Sequence, residues 1–236
     1  MAEIAAKEVK ALRDQTGAGM MDCKRALADA DGDAAKATSL LRERGLAKAG
    51  KRAGRETSEG AIGICLDAAA AGIVELGCET DFVAKTEDFQ ALVSQIAGVV
   101  ANAEVGDVEQ VLAAKVGDAT VSDRIQTTIT KVGENIKLKR VARLDLDGGV
   151  GGGYVHAGGK LGVIIALAGA SDAKPVKELA RDLAMHVAAA DPPPVAVDRD
   201  GVPSEVIEQE RAILQRQAEQ TGKPAQVVER IVDGRV

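Results

Sequence analysis

The chain has 236 residues, 46% hydrophobic and 28% charged, with a net charge of −6. That length holds one large domain or a few small ones with real apolar cores, and the acidic balance excludes a protein that wraps nucleic acid with its whole surface, leaving room only for a local basic patch. No stretch approaches the ~18 uncharged apolar residues of a membrane span, and the N-terminus lacks the basic, apolar and cleavage regions of a signal peptide, so a cytoplasmic location is expected.

Residues 1–45 read as a helical domain of three short helices. Ile4, Ala5, Val9 and Leu12 share one face of the first, and Thr16-Gly17-Ala18-Gly19 ends it with flexible backbone. Met20, Met21, Cys23, Ala26, Leu27 and Ala30 make the apolar stripe of the second, in which the two methionines read as core. Asp31-Gly32-Asp33 breaks that helix, and Ala34, Ala37, Leu40 and Leu41 carry the third to Gly45. The arrangement resembles the ubiquitin-associated type of docking bundle, with Lys24 exposed just past the methionines.

Residues 46–59 read as a basic linker. From Arg42 to Arg55 there are six basic residues (Arg42, Arg44, Lys48, Lys51, Arg52, Arg55) against Glu43 alone, interrupted by glycines, so at most a short helix is expected. RNA binding and a solvated linker facing an acidic surface are both open, but no aromatic is interleaved for base stacking.

Residues 60–146 form the first core subdomain. Ile62, Ile64 and Leu66 alternate as a strand, and Val74, Leu76 and Cys78 alternate as its hairpin partner. Gly77-Cys78-Glu79-Thr80-Asp81-Phe82-Val83-Ala84-Lys85 follows as a strand-to-helix turn. Phe82 stands out there. The aromatics number three, Phe82, Phe89 and Tyr154, and a chain so poor in rings is expected to bury them. Phe89 belongs to a helical stripe with Leu92, Val93, Ile96 and Val100, capped by Thr86, whereas Phe82 joins no stripe; it is either a loop anchor or a contact residue. Two helices follow over 107–132, through Val108, Val111 and Leu112 and then Val121, Ile125, Ile129 and Val132. A strand over Ile136–Leu146 places Lys137, Lys139 and Arg143 on one face and Arg140 among apolar residues on the other.

Residues 147–191 read as a second core subdomain. Its Gly148–Gly153 cluster lacks the Gly-Lys-Ser/Thr ending and the following helix of a phosphate loop, so it reads as a turn. A hairpin over Tyr154–Ala157 and Leu161–Ala168 leads into a helix with Val176, Leu179, Leu183, Val187 and Ala190. At an offset of 90 residues Ile73 and Val74 match Val163 and Ile164, and Phe89 and Val93 match Leu179 and Leu183, a weak internal repeat. His156 and His186 fall in this strand and helix, where the pattern alone assigns them structural roles. Asp191-Pro192-Pro193-Pro194 stops the helix. Residues 192–236 read as an antiparallel helical-hairpin arm, Ser204–Gln220 and Pro224–Asp233 joined at Thr221-Gly222-Lys223, whose narrow apolar stripe suits contact with another chain.

Cys23, Cys65 and Cys78 are widely spaced, with two histidines in the chain, so neither disulfides nor zinc are expected. The overall class is α+β with antiparallel sheets.

The Thr16-to-Lys24 turn and the Cys78-to-Lys85 turn, with Gly133-Glu134-Asn135-Ile136, His186-Val187-Ala188-Ala189 and Gly222-Lys223-Pro224 in the same order, resemble bacterial elongation factor Ts. The resemblance implies a ubiquitin-associated-like domain, two related α+β core subdomains and a helical arm. It implies elongation factor Tu, GDP-bound and nucleotide-free, as the partner, with release of its GDP and no enzymatic step or cofactor of the chain's own. Thr80, Asp81, Phe82 and Val83 would enter the partner beside its magnesium and phosphate site, with Phe82 as wedge and Asp81 near the magnesium network. Lys24, His156 and His186 complete the partner-binding set that the resemblance suggests, and a homodimer through the arm is open. Family members continue past the position of Gly234-Arg235 with a strand that closes the second subdomain, so an open sheet edge is expected here. Two other readings stay open: an adaptor that binds a peptide or ubiquitin-like protein through the N-terminal bundle, and a cysteine enzyme pairing Cys78 with a histidine.

Overall fold

The computed structural model describes residues 4–103, 105–169, 174–222 and 224–236, with the side chains of residues 46, 48, 49 and 51 left aside. Helices α1 (Ala6–Thr16), α2 (Met20–Asp29) and α3 (Ala34–Arg52) open the chain. Gly17 ends α1 with φ 67°, a left-handed conformation that glycine adopts without strain. Val9, Leu12, Cys23, Ala26, Leu27 and Ala37 are buried together as the bundle's own core. The two methionines do not join it: Met20 is exposed, and Met21 is 64% exposed. The inward stripe of α2 begins at Cys23, and Met21, two residues earlier, lies roughly 200° round the helix from it.

Two hairpins and their helices follow. They comprise β1 (Glu59–Leu66), β2 (Ala70–Cys78), α4 (Asp81–Ala84), α5 (Glu87–Asn102), α6 (Val108–Ala113), the small β3 (Lys115–Val116) and β4 (Ala119–Thr120), α7 (Val121–Val132) and β5 (Ile136–Asp145). Next come β6 (Val150–Val155), β7 (Gly162–Leu167) and α8 (Lys174–Ala189). The strands β1-β2-β5 form one antiparallel sheet in that order, and β6-β7 a second.

One face of the three-stranded sheet carries α5. Phe89 is fully buried there (0% exposed), with Leu92, Val93, Ile96 and Val100 along the same stripe and Val74, Leu76 and Cys78 from β2 beneath it. Thr86 caps the helix by accepting a hydrogen bond from Phe89 N at 3.3 Å. The helix lies close because two strand positions lack side chains. A Cβ on Gly63 would stand 2.4 Å from Val93 Cγ1, and one on Gly72 2.6 Å from Ala101 N.

The other face carries β6-β7. Gly153 receives Ile64 and Gly162 receives Ile62, at 3.0 and 2.4 Å from where their Cβ atoms would be. Gly152 points away and lets the backbone of α8 in at Ala180, 2.5 Å from its missing Cβ. Gly151, Gly152 and Gly153 are therefore strand residues, and the expected turn shrinks to its beginning, around Gly148. The layers run α5, three-stranded sheet, two-stranded sheet, α8. The two hairpin-plus-helix segments share an element order, but Leu179, the counterpart of Phe89, is 52% exposed.

Two further expectations are corrected. Arg140 is exposed and bonded to Glu75 Oε2 at 2.6 Å, because a bulge opposite Glu75 and Leu76 breaks the alternation of β5 before it arrives. Helix α3 does not stop at Gly45 but runs on to Arg52, so most of the basic segment is helical. Gly45 is a crossing point with α7, since a Cβ there would lie 2.7 Å from Thr130 Oγ1. The arginines of that segment have partners within the chain while Arg42 stays exposed: Arg42 pairs with Asp123 at 3.4 Å, Arg44 with Asp29, and Arg52 donates to Ile129 O at 3.4 Å. Lys48 and Lys51 lie outside the described side chains.

By its contacts the chain divides into two compact units, Met1–Ala188 and Ala189–Val236. The second holds α9 (Ser204–Glu219) and α10 (Ala225–Arg235), a helical hairpin cored by Ala218, Val228 and Val232 with Leu214 and Ile231 beside them. Lys223 of its connection lies outside the described residues. Val206, Ile213 and Val227 remain exposed on it. Among the described residues no helix is long and apolar enough to cross a membrane.

Candidate partner-binding turn

The end of β2 and the single helical turn of α4 build the site. Cys78 is buried, and its thiol donates to Thr80 O at 3.1 Å. Thr80 is extended (φ −127°, ψ 155°) and caps α4, its hydroxyl oxygen accepting from Val83 N at 3.4 Å. Val83 and Ala84 turn into the core. With those two inward, one turn of helix must send its other residues outward, and Phe82 is 80% exposed. The loop-anchor reading of Phe82 is thereby excluded: the anchors are its two neighbours.

Asp81 shares the outer side. Lys85 Nζ donates to Asp81 Oδ2 at 2.7 Å, which holds the Asp81 carboxyl below its ordinary range and raises the Lys85 ammonium. The turn therefore presents an apolar ring beside a carboxylate that stays ionised, an arrangement suited to pressing on a partner's apolar pocket next to a cation or a hydrogen-bond donor.

Residues that pattern-reading did not single out hold this turn from behind. Glu134 accepts two hydrogen bonds from Thr80, at 3.0 Å from the amide and 2.7 Å from the hydroxyl. Asn135 is buried, donates its amide to Glu79 Oε1 at 2.6 Å and its side chain to Arg55 O at 2.8 Å. Arg55 also reaches the Glu79 carboxylate at 3.4 Å. Gly133 makes this possible by leaving α7 with φ 83°, so that the chain reverses toward the turn. The signal in the sequence is the Gly133-Glu134-Asn135-Ile136 motif, to which spacing alone attaches no chemistry.

The other candidates lie elsewhere. Lys24 is exposed on α2 beside the exposed Met20 and Met21. His156 follows β6, exposed, with Nδ1 3.0 Å from Tyr154 Oη, and His186 is exposed in the last turn of α8. Neither histidine is a core residue, so the structural roles assigned from the pattern fall away. The cysteine-enzyme reading falls too. Burial, with help from the Glu134 and Glu59 carboxylates, pushes the Cys78 thiol up to about 11, and its hydrogen bond goes to Thr80 O. Among the described residues no group of three or more His, Cys, Asp or Glu could hold a metal ion.

A family profile described as Elongation factor TS matches residues 79–236, a span that starts at the turn just described. Elongation factor Ts of Chlorobium phaeobacteroides (strain BS1) is 47% identical over 242 residues, covering 100% of this chain and 83% of that protein. The chain belongs to the elongation factor Ts family. Another elongation factor Ts, from Deinococcus radiodurans, is 47% identical over 230 residues, covering 98% of this chain and 84% of its own length. That of Nautilia profundicola is 42% identical over 241 residues, covering 100% and 78%. Membership of the elongation factor Ts family makes the chain a translation elongation factor. The residues before the profile match, α1–α3, β1 and β2 included, are covered by the alignment with the Chlorobium phaeobacteroides protein, which takes in 100% of this chain.

Proposed function

We propose that this chain is the guanine-nucleotide exchange factor of cytoplasmic elongation factor Tu, and that the Thr80–Val83 turn enters that partner near its magnesium and phosphate site. The observation that carries the reading is Phe82, 80% exposed on a turn whose neighbours are anchored and hydrogen-bonded. An exposed aromatic on a pre-ordered element costs little ordering entropy on docking and gains its burial there.

Exchange of this kind is a coupling of two binding events. The factor binds the nucleotide-free partner more tightly than the GDP form, and GDP weakens the factor's affinity by the same ratio. A thousandfold effect requires about 4 kcal/mol of differential binding. One phenylalanine supplies about 1.5–3 kcal/mol. Other surfaces must therefore share the work, and the exposed Lys24 with Met20 and Met21, His156, His186 and the arm's Val206, Ile213 and Val227 are the surfaces proposed to do so. The chain forms and breaks no covalent bond in this reading.

The test is release of mant-labelled GDP from elongation factor Tu in stopped flow. Added chain accelerates release by orders of magnitude if the reading holds, and an unchanged rate overturns it.

A further inference from the structure

Helix α4 has four residues. A helix that short does not sustain itself, since nucleation costs more than a single turn returns. Its conformation must be imposed from outside, and the burial of Val83 and Ala84 fixes only its inner side. Its C-terminal end is tied by Thr86 Oγ1 donating to Val83 O at 2.8 Å, by Gln90 Nε2 donating to Ala84 O at 2.6 Å and by the Lys85–Asp81 pair. At its N-terminal end Thr80 is held by the Cys78 thiol on its carbonyl and by the Glu134 carboxylate on its amide and hydroxyl. Both carboxylate oxygens are spent on Thr80: Oε2 takes the amide at 3.0 Å and Oε1 the hydroxyl at 2.7 Å. A hydroxyl has one proton to give. Once that proton points at Glu134, the oxygen's lone pairs are what remains for Val83 N, 3.4 Å away. The carboxylate thus selects the Thr80 rotamer that starts α4. Its own place is fixed by the left-handed Gly133 before it and by the buried Asn135 after it, which ties to Glu79 and to Arg55 O.

We infer that Glu134 is a positioning residue for nucleotide exchange: it holds the Thr80–Val83 turn in its docking conformation before the partner arrives and acts only through Phe82 and Asp81. This rests on the exchange reading above. Without the carboxylate the turn must be ordered at the moment of docking, and the entropy of that ordering is subtracted from the binding of the nucleotide-free partner.

The experiment compares the full chain with its Glu134→Ala and Glu134→Gln variants by two readouts. The first needs no partner. Amide hydrogen exchange at Thr80 and Val83 becomes about tenfold faster in Glu134→Ala, the scale of losing a hydrogen bond to a charged group, while amides of α5 around Phe89 keep their protection. Glu134→Gln, which keeps one acceptor oxygen, falls between. The second readout is the maximal rate of GDP release from elongation factor Tu. It falls about tenfold in Glu134→Ala and less than twofold when the same change is made in an Asp81→Ala/Phe82→Ala background, since a residue that acts through those two side chains then has nothing left to position. Unchanged exchange at Thr80 and Val83 overturns the proposal, as does an equal loss of rate in both backgrounds. If the amides respond while the unsubstituted chain releases no GDP, the exchange reading fails and the clamp on the turn stands.

Discussion

Thr80 and Glu134 are 54 positions apart in the chain and meet through two hydrogen bonds, amide and hydroxyl to the two oxygens of one carboxylate. The turn that exposes Phe82 is therefore a tertiary structure, made where the end of β2 meets the end of α7. Its conformation depends on the folded core, but the core does not depend on Phe82.

That asymmetry predicts the behaviour of Phe82→Ala. The ring is 80% exposed, so thermal unfolding should not move beyond experimental error. GDP release stimulated by the chain should slow by about one to two decades, the range that the burial of one phenylalanine can account for. Stopped flow with mant-GDP and a thermal melt on the same preparation check both halves.

The other phenylalanine should do the reverse. Phe89 is fully buried on the inner face of α5, so Phe89→Ala should cost about 3–5 kcal/mol of stability in urea unfolding. Whatever folded fraction remains should still stimulate release, because Phe89 is not on the turn.

Glycine positions should divide by what surrounds them. At Gly72 a methyl group would lie 2.6 Å from Ala101 N and 2.8 Å from Ala97 O, both backbone atoms that cannot swing aside. Gly72→Ala should therefore cost about 1–3 kcal/mol. Gly98, within α5, has nothing within 4 Å of its Cβ position, and Gly98→Ala should stabilise by about 0.5–1 kcal/mol. Urea midpoints of the two variants should move in opposite directions.

The Cys78 thiol gives a pH signature. Its ordinary value of 9.0 is pushed to about 11 in the folded chain by burial and by the Glu134 and Glu59 carboxylates. Below pH 9 the thiol is protonated whether folded or unfolded, and the folded state loses nothing. Between 9 and 11 the unfolded chain gives up the proton first, so the unfolded state is favoured and stability falls as pH rises. Cys78→Ala removes that titration. Its stability relative to the unsubstituted chain should thus improve steadily from pH 9 to 11 and be independent of pH below 8. In the folded protein at pH 8, iodoacetamide should modify the half-buried Cys65 well before Cys78.

What could be read from the sequence was local in origin. The stripe from Phe89 to Val100 and its Thr86 cap depend on helical spacing and one side-chain hydrogen bond, and both are present. That Phe82 stands outside this stripe was visible for the same reason. The features that escaped depend on residues far along the chain. Gly151–Gly153 looked like a turn because glycine weakens a strand; what requires glycine there is β1 on one side and α8 on the other. Gly45 looked like a helix stop because its contact with Thr130 comes from α7. Arg140 was misplaced by a bulge that no periodicity reveals. Glu134 belongs to this group, since nothing near it in the chain says that a carboxylate is needed.

The fit between the two sheets also bears on the weak repeat. Ile62 and Ile64 stand out from β1, and the opposing hairpin offers Gly162 and Gly153 to receive them. If the two halves arose from one ancestral unit, they have become reciprocal, one bearing knobs and the other sockets. A hairpin of knobs stacked on its own copy would clash, and a hairpin of sockets stacked on its own copy would leave voids. Each half thus fits the other and not its own copy, which disfavours the stacking of like halves from neighbouring molecules as they fold at high concentration.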